Sequence, residues 1–483
     1  MSQEANETAS IRLKFLEKDE EDLVHEMSLK NLQENGVLVR SESVLDIMEK
    51  AGSIVDRKRS IVRIPETVVR EALSKAPKSM TLHARDPKHD LHLPVESVPY
   101  IATSGLAVYT LDLETGKRRN STRKDIANFG KLADALSGID YFWTTLTATE
   151  VPQEAHSVHE LWTALQSTTK HVQAVSVINA ADARAQIELG ACVAGGKDQL
   201  RRNPIFSMII CPVAPLSFEK GAVEGHVELS RAGIPVVSMS MSLSGLSCPV
   251  TIAGTITNAN SENLASLVIT QSASPGAPHI YSSESAPIDM TTGGINYYSP
   301  DYPLISAALG QMAKRYQLPS MVGSWGAGGE LPGMPEQFWE IYGMALSTLT
   351  GTDLASGAGS IDSAKGVSAE QLVLDSWLWE DVRPFVKKSR IDKETIALDI
   401  VKAVGHSGTF LTNPHTQQNF KKEIWVPDRA REPWQRYPAA KMTSEARDFA
   451  KKILKEHEVP RLDKTITNNG ERIIQGFEKS LGS

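Results

Sequence analysis

The sequence contains little cysteine and no long apolar run. Its three cysteines, Cys192, Cys211 and Cys248, are too few and too widely spaced for a disulfide framework or a Cys-x-x-Cys metal site. No run of about 18 apolar residues is present to span a membrane, and the polar, acidic start Met1–Ser10 is unlike a signal peptide. We therefore expect a protein of the reducing cytoplasm, neither secreted nor inserted in a membrane.

An excess of basic residues is also missing. The 483-residue chain carries 51 Lys and Arg against 58 Asp and Glu, which gives a formal net charge of −7, and the basic residues are scattered. Nucleic-acid-binding surfaces are clustered and basic, so we expect no nucleic acid partner. With 41% hydrophobic and 23% charged residues, the composition is that of an ordinary globular chain with a large core.

What the sequence does contain is a repeated alternation of short apolar runs and longer helical windows, which is typical of βα units with a parallel sheet. The predicted strands are Tyr100–Ser104, Tyr141–Thr147, His171–Val177, Ile205–Cys211, Val236–Met241, His279–Ser283, Ser320–Ser324 and Asp353–Ser356. Consecutive units of this kind predict an α/β fold of the (β/α)8 TIM barrel type, because closure leaves no exposed sheet edge. An open doubly wound sheet is the alternative.

Helical patterns flank this region on both sides. Residues 1–98 form a predicted N-terminal helical extension, residues 99–390 the barrel, and residues 391–483 a C-terminal helical extension that packs on the barrel as a wrap. In an eightfold barrel, the active site is built from the βα loops at the C-terminal ends of the strands. Candidate functional residues are therefore sought in those loops.

Aromatic and acidic residues occur in these predicted loops. A quaternary ammonium ion cannot donate hydrogen bonds, so proteins hold it with aromatic faces and carboxylates. The candidates for such a cage are Trp143, Tyr281, Glu284, Trp325, Glu330 and Phe338. Each aromatic residue taken alone is more typical of a core, and only those that point into the barrel mouth can contribute.

Two glycine-rich stretches support a different interpretation. Trp325–Gly333 follows the seventh strand and Gly357–Ser360 the eighth, where barrels often bind phosphate. Against a phosphate site, the first stretch contains Glu330 and no Lys or Arg, and the chain lacks a GxxxxGK[ST] motif. An enzyme for a phosphorylated small molecule is therefore the second hypothesis.

Metal and thiol chemistry have weaker support. His156 and His159 lie beside Glu154 and Glu160 at a spacing that permits a metal, but no HExxH frame is present and an exposed helix face is the favoured interpretation. Cys211 ends the fourth strand without a visible histidine partner, so we expect a buried core cysteine. We predict no bound metal and no thiol nucleophile.

From about Leu29 to Trp434 the chain resembles the trimethylamine methyltransferase superfamily. The matching stretches are Ala76–Ser79, Cys248–Gly254 with Asn260 and Glu262, Pro275–Pro278 with Tyr281, Asp289–Gly293, Arg315–Pro319, Glu336-Gln337, Val373–Asp375, and Phe410-Leu411 before His415-Thr416. Their order and spacing together carry the resemblance. It implies a barrel that passes a methyl group to cob(I)alamin, a corrinoid carried by a separate corrinoid protein.

The resemblance also implies a branch and a set of contacts. The founding enzymes carry pyrrolysine after strand seven, where this chain has the ordinary residues Trp325–Gly333. It is therefore similar to the pyrrolysine-lacking branch, whose members demethylate glycine betaine and related betaines. His415 is the favoured donor to a betaine carboxylate, ahead of His406 and Asn179. The expected contacts with the corrinoid cofactor are Asp289, Gly293, Gly328 and Gly329.

Three functions thus remain open. The first is a corrinoid-dependent methyltransferase acting on a quaternary amine, with glycine betaine the favoured substrate. The second is the barrel enzyme for a phosphorylated small molecule, and the third is a non-catalytic betaine-binding protein. A homo-oligomer is compatible with the sequence, which contains nothing that fixes the number of subunits.

Overall fold

The computed structural model describes residues 13–95, 98–297, 299–324, 329–333, 346, 349–383, 390–424 and 439–482. Its centre is a parallel, 8-stranded sheet. The strands, labelled β1 to β8, are Tyr100–Thr103, Phe142–Trp143, Val172–Ala174, Phe206–Ile210, Val236–Ser240, His279–Ser283, Ser320–Ser324 and Leu354–Ala358. Strands that follow each other in this order are neighbours in the sheet, and a parallel bridge between Ala102 and Tyr141 joins β1 to β2. The predicted (β/α)8 barrel is confirmed.

The segment before the barrel contains both helices and strands. Its helices are α1 (Lys18–Glu34), α2 (Glu42–Lys50) and α3 (Glu66–Lys75). Its three short strands, which form one sheet with Ser217–Phe218 of the barrel, are Val37–Val39, Ile54–Asp56 and Ile61–Arg63. The predicted N-terminal helical extension therefore contains short strands beside its helices, because alternating β-branched residues such as Val37 and Val39 bury one face of a strand.

A hairpin closes the N-terminal end of the barrel. Its strands, Met80–Leu82 and Leu91–Leu93, pair in an antiparallel manner. Leu82, Leu91 and Leu93 are buried in one cluster with inward-facing barrel residues. The hairpin therefore fills the N-terminal end of the barrel, and the opposite end, where the βα loops lie, is the open one.

Helices cover the outside of the barrel. In chain order they are α4 (Arg123–Ala135), α5 (His156–Ser167), α6 (Ala180–Ala194), α7 (Lys197–Arg202), α8 (Lys220–Ala232), α9 (Ile252–Ala273), α10 (Asp301–Arg315) and α11 (Ala369–Val382). Their ends follow local rules, as α6 illustrates. The Asn179 side chain accepts hydrogen bonds from the Ala181 and Asp182 amides at its start, and Gly195 ends it at a φ of +87°.

Short strands decorate the open end. They are Tyr109–Leu111, Arg118–Asn120, Ser360–Ile361 and Gly366–Val367 in one small sheet, and Leu243–Ser244 with Ala286–Pro287 in another. The first sheet joins the loop after β1 to the loop after β8, and the second joins the loops after β5 and β6. These pairings fix neighbouring loops to each other around the mouth.

The C-terminal segment contains two different parts. Its helices are α12 (Lys393–Ile396), α13 (Leu398–Val404), α14 (Pro414–Glu423), α15 (Ala439–Glu456) and α16 (Lys464–Leu481). Helix α15 buries Met442 and Ala446 against the barrel helices, and α16 buries Phe477 beside Trp162. No residue within α12, α13 or α14 is buried. Within the described part of the chain, every helix is too short or too polar to cross a bilayer.

Candidate active site at the barrel mouth

Strand alternation identifies the side chains that point into the barrel. Successive residues of a strand face opposite sides of the sheet. On β4, Ile209 belongs to the interior cluster, whereas Ile210 packs against the outer helices, so Cys211 faces inward. On β6, Ile280 faces inward, and the same alternation brings Glu284 to the interior at the C-terminal end.

Two further residues complete the group. Trp143 on β2 belongs to the interior cluster. Ser356 on β8 lies two residues after the inward-facing Leu354, and its Oγ is 3.5 Å from Oε1 of Glu284. We call Trp143, Cys211, Glu284 and Ser356 the mouth cluster. The sequence predicted Trp143 and Glu284 as site residues, but Cys211 was expected in the core and Ser356 was missed.

Glu284 is the acidic member of the mouth cluster and is half-buried. Its amide donates to the Ser240 carbonyl at 3.0 Å, which fixes its backbone to the end of β5. The carboxylate reaches across the barrel towards Ser356. A carboxylate in a cavity that is partly shielded from water attracts a cation more strongly than one on an open surface.

Cys211 shows that the mouth is a cavity. Its side chain is solvent-exposed. Burial nevertheless raises the pKa of the Cys211 thiol to about 12, with smaller contributions from the negative charges of Glu284 and Glu262. A side chain that is both accessible and surrounded by protein lines a cavity, so the expectation of a buried core cysteine is wrong. The raised pKa keeps the thiol protonated and argues against a nucleophile.

Trp143 is nearly buried, with only 6% of its surface exposed. Its Nε1–H has no hydrogen-bond partner among the described residues. The indole therefore adds an apolar ring to the interior of the barrel. Aromatic rings and carboxylates are the groups with which proteins hold an alkylated ammonium ion.

Tyr281 lies on the other face of β6. It belongs to the cluster between the barrel and the helices, and its hydroxyl donates to Oδ1 of Asn260 on α9 at 3.0 Å. The structure therefore does not bring Tyr281 to the mouth cluster, because its neighbours Ile280 and Ser282 occupy the inward positions of the strand.

The loop after β7 is only partly described. Trp325, Gly328 and Phe338 lie outside the described residues. Gly329 and Glu330 are exposed, and the Gly329 carbonyl accepts a hydrogen bond from the Asp362 amide at 2.8 Å. That contact ties the loop to the one after β8.

The remaining predicted contacts occupy two other places. Asp289 and Gly293 form a turn after β6, in which the Asp289 carboxylate accepts from the Thr291 amide and the Thr292 hydroxyl, each at 2.8 Å. These hydrogen bonds hold the pKa of Asp289 below its usual range. His415 lies at the start of α14, where its amide donates to Asn413 Oδ1 at 2.9 Å. No contact between His415 and the mouth cluster is found among the described residues.

The histidine pair on α5 serves the packing of the C-terminal helices. His159 is 7% exposed, and its Nε2 lies 2.9 Å from Oε1 of Glu478 on α16. The expectation of an exposed helix face is therefore wrong for His159, because α16 covers it. The described residues contain no group of three or more His, Cys, Asp or Glu side chains arranged to hold a metal.

Comparisons with known proteins give a consistent result. The sequence profile of a family described as trimethylamine methyltransferase (MTTB) matches residues 2–479. The chain is 30% identical, over 95% of its length and 93% of the relative, to trimethylamine methyltransferase MttB of Desulfitobacterium hafniense (strain DSM 10664 / DCB-2). It is 27% identical, over 97% of its length and 98% of the relative, to a glycine betaine methyltransferase of Desulfitobacterium hafniense (strain Y51).

A solved structure shares the fold. The monomethylamine methyltransferase MtmB of Methanosarcina barkeri superposes with a TM-score of 0.51, covering 93% of this chain and 96% of that one. The two sequences are 12% identical, so this likeness concerns the fold alone.

Proposed function

Since the chain belongs to the trimethylamine methyltransferase family, we propose that it transfers a methyl group from a quaternary amine, most directly glycine betaine, to cob(I)alamin carried by a corrinoid protein. The observation that carries the proposal is the Glu284 carboxylate held at the barrel mouth, 3.5 Å from the Ser356 hydroxyl, in a barrel whose interior is lined by apolar side chains that include Trp143. A glycine betaine methyltransferase among the relatives supports the choice of substrate.

The proposed reaction needs little from the protein beyond placement. The N–CH3 bond breaks, its electron pair stays on nitrogen, and the amine leaves as a neutral tertiary amine, so no residue has to protonate it. The docked cob(I)alamin supplies the nucleophile. Glu284 holds the cation, and Trp143 and the inner wall exclude water. The barrel orients one methyl group outward. Catalysis therefore rests on positioning and desolvation.

The rim of the mouth fits a protein partner. Large apolar side chains are exposed in the loops after β1, β3, β4, β5, β6 and β7. They are Leu106, Val108, Ile178, Val213, Leu246, Val250, Met290 and Leu331. Exposed apolar surface around a site is typical of a docking surface. A corrinoid protein seated on this rim would place its cofactor over the mouth cluster.

The residues that complete the pocket are part of the same proposal. For the ammonium head we keep Trp325, Phe338 and Glu330 as candidates, and for the cofactor Asp289, Gly293, Gly328 and Gly329. His415 remains the candidate donor to the betaine carboxylate. The phosphorylated substrate is disfavoured, because the described mouth carries the carboxylate of Glu284 and because Lys365 Nζ lies 3.5 Å from Asp362 Oδ1.

A spectroscopic assay tests the proposal. The purified protein is mixed with cob(I)alamin and glycine betaine, and the visible spectrum is followed for methylcobalamin. We expect methylation with glycine betaine and poor turnover of trimethylamine, since this chain lacks the residue that distinguishes the founding enzymes. Betaine binding without any spectral change would favour the non-catalytic betaine-binding protein. Protection of the protein against unfolding by phosphate esters would favour the enzyme for a phosphorylated small molecule.

A further inference from the structure

A second carboxylate lies directly behind the wall of the mouth. Glu262 is on α9 and is 0% exposed. Its Oε1 accepts from the Leu216 amide at 2.9 Å and from Asn258 Nδ2 at 3.1 Å. Its Oε2 accepts from the Ser240 hydroxyl at 2.5 Å and from the Ser242 hydroxyl at 3.3 Å. One carboxylate therefore joins the loop after β4 to the end of β5.

The same network continues to Glu284. The Ser240 side chain donates to Glu262, while the Ser240 carbonyl accepts from the Glu284 amide at 3.0 Å. The Ser283 hydroxyl donates to that carbonyl at 3.2 Å, and the Ser285 hydroxyl accepts from the Ser242 amide at 2.9 Å. The ends of β5 and β6 are thus fastened together around Ser240, and Glu262 anchors Ser240 from behind.

Glu262 has no basic partner: in the described part of the chain, no Lys or Arg forms an ion pair with this buried carboxyl group. Burial raises its pKa, but its hydrogen bonds act in the opposite direction. The two N–H groups at Oε1 can only donate, so they favour the ionised form. An uncompensated buried carboxylate costs free energy, which makes its position behind a cation pocket informative.

A negative charge on Glu262 contributes to the electrostatic potential inside the mouth. Both Glu284 and Glu262 disfavour the thiolate of Cys211, which lines the cavity. A negative electrostatic potential that disfavours an anion at Cys211 favours a cation at the same place to an equal extent. The hydrogen-bond chain to Glu284 therefore connects Glu262 to the mouth cluster, and the contribution of Glu262 to the raised pKa of the Cys211 thiol agrees with that position.

We propose that Glu262 is a positioning residue of the cation site: it holds Glu284 in place through Ser240 and adds negative potential to the barrel mouth without touching the substrate. The inference rests on the proposed function for the identity of the cation. It assigns the selection of a quaternary ammonium group to a pair of carboxylates, one in the cavity and one behind its wall.

The first test needs no substrate. The rate of Cys211 alkylation by iodoacetamide, a neutral reagent, is measured at a fixed pH of about 9 by peptide mass spectrometry, since the rate follows the thiolate fraction. Glu262→Gln keeps the shape and removes the charge, and should speed alkylation several-fold. Ser240→Ala keeps the charge and removes the link, and should leave the rate within two-fold of the parent.

The second test measures selection for charge. Calorimetry gives the Kd of glycine betaine and of 3,3-dimethylbutyrate, which has the same shape and carboxylate but no positive charge. The parent should prefer betaine, and Glu262→Gln should reduce that preference about five-fold or more. Ser240→Ala should also weaken betaine binding, because Ser240, whose carbonyl accepts from the Glu284 amide, loses its own hydrogen bond to Glu262.

Asp353→Asn is the matched control. Asp353 is 4% exposed and accepts from the Val95 and Ser320 amides at the opposite end of the barrel. It should change neither the alkylation rate nor the betaine preference. The proposal is overturned if Glu262→Gln leaves both quantities within two-fold of the parent, or if Asp353→Asn reproduces both effects.

The two tests separate this inference from the function on which it rests. If the parent does not prefer betaine while Glu262→Gln still speeds alkylation of Cys211, the proposed cationic substrate is wrong and the electrostatic role of Glu262 stands. If the parent prefers betaine and Glu262→Gln changes nothing, the function survives and Glu262 serves the fold alone.

Discussion

Gly105 lies directly against the indole of Trp143: a Cβ atom on Gly105 would be 2.2 Å from Cε2 of the ring. No side chain other than hydrogen fits in that space, so the loop after β1 and the ring of the mouth cluster fix each other's position. The constraint is one of close approach. The ring that we propose beneath the substrate is therefore held by backbone.

Replacing Gly105 by alanine should displace the Trp143 ring. We expect Gly105→Ala to raise the Kd of glycine betaine several-fold, because a cation over an aromatic ring contributes about 0.5–2 kcal/mol. Gly470→Ala is the matched control, since a Cβ there would lie 2.2 Å from Cη2 of Trp162, between α16 and α5. Both variants should melt at lower temperature. A parent-like Kd in Gly105→Ala would exclude Trp143 from the pocket.

Two carboxylates compete for the role of cation ligand, and the structure ranks them. Glu284 is half-buried inside the mouth, whereas Glu330 is exposed in the loop after β7. Because solvent screens exposed charges, Glu284→Gln should weaken betaine binding by about ten-fold or more and Glu330→Gln by only a few-fold. Calorimetry on both variants measures this difference. Equal losses, or a larger loss in Glu330→Gln, would move the cation site to the loop after β7.

The apolar rim should bind the corrinoid protein. Val250 is 71% exposed in the loop after β5, so Val250→Asp should leave the fold intact and place a charge in the proposed interface. We expect the KM for the corrinoid protein to rise about ten-fold while methylation of free cob(I)alamin is unchanged. Leu23→Asp, on α1 and 55% exposed in the parent, is the control and should behave like the parent. An unchanged KM in Val250→Asp would remove this loop from the docking surface.

The sequence was sufficient for the barrel because its signals are local. Apolar runs such as His279–Ser283 and Ser320–Ser324 have the same bounds in the structure. Strand ends were less certain: the second strand was predicted over Tyr141–Thr147 and covers Phe142–Trp143, because the chain leaves the sheet to form the loop. Such departures from a ladder depend on tertiary contacts.

The site was harder to predict than the fold. Strand alternation counted back from Glu284 places Tyr281 on the outer face, so the sequence alone is sufficient to exclude Tyr281 from the barrel interior. The sequence predicts a buried Cys211 because cysteines usually lie in cores, whereas the structure exposes this side chain to the cavity of the mouth. Glu262 is among the residues that carry the family resemblance, but its role could not be predicted from the pattern, since α9 is buried on nearly all sides and that role arises from contacts with β5 and β6.

The last prediction concerns stability and uses Glu160 on α5. This side chain is 5% exposed, and its Oε1 accepts from the Ala148 amide at 3.1 Å. Burial raises its pKa from 4.5 to about 7, and the neighbouring charge of Asp182 adds to the shift. The folded protein therefore binds this proton more tightly than the unfolded chain. The resulting stabilisation is fully present below pH 4.5 and is lost as the pH rises to about 7.

Glu160→Gln should remove this dependence, because the amide keeps the acceptor for Ala148 and never ionises. At pH 8, well above the raised pKa, we expect the variant to be more stable than the parent by about 1–3 kcal/mol, whereas near pH 4.5 the two should be equal. Urea unfolding at both pH values measures the difference. A variant that is less stable than the parent at pH 8 would mean that the folded protein stabilises the ionised form of Glu160 and that the environment of this side chain is more polar than its burial indicates.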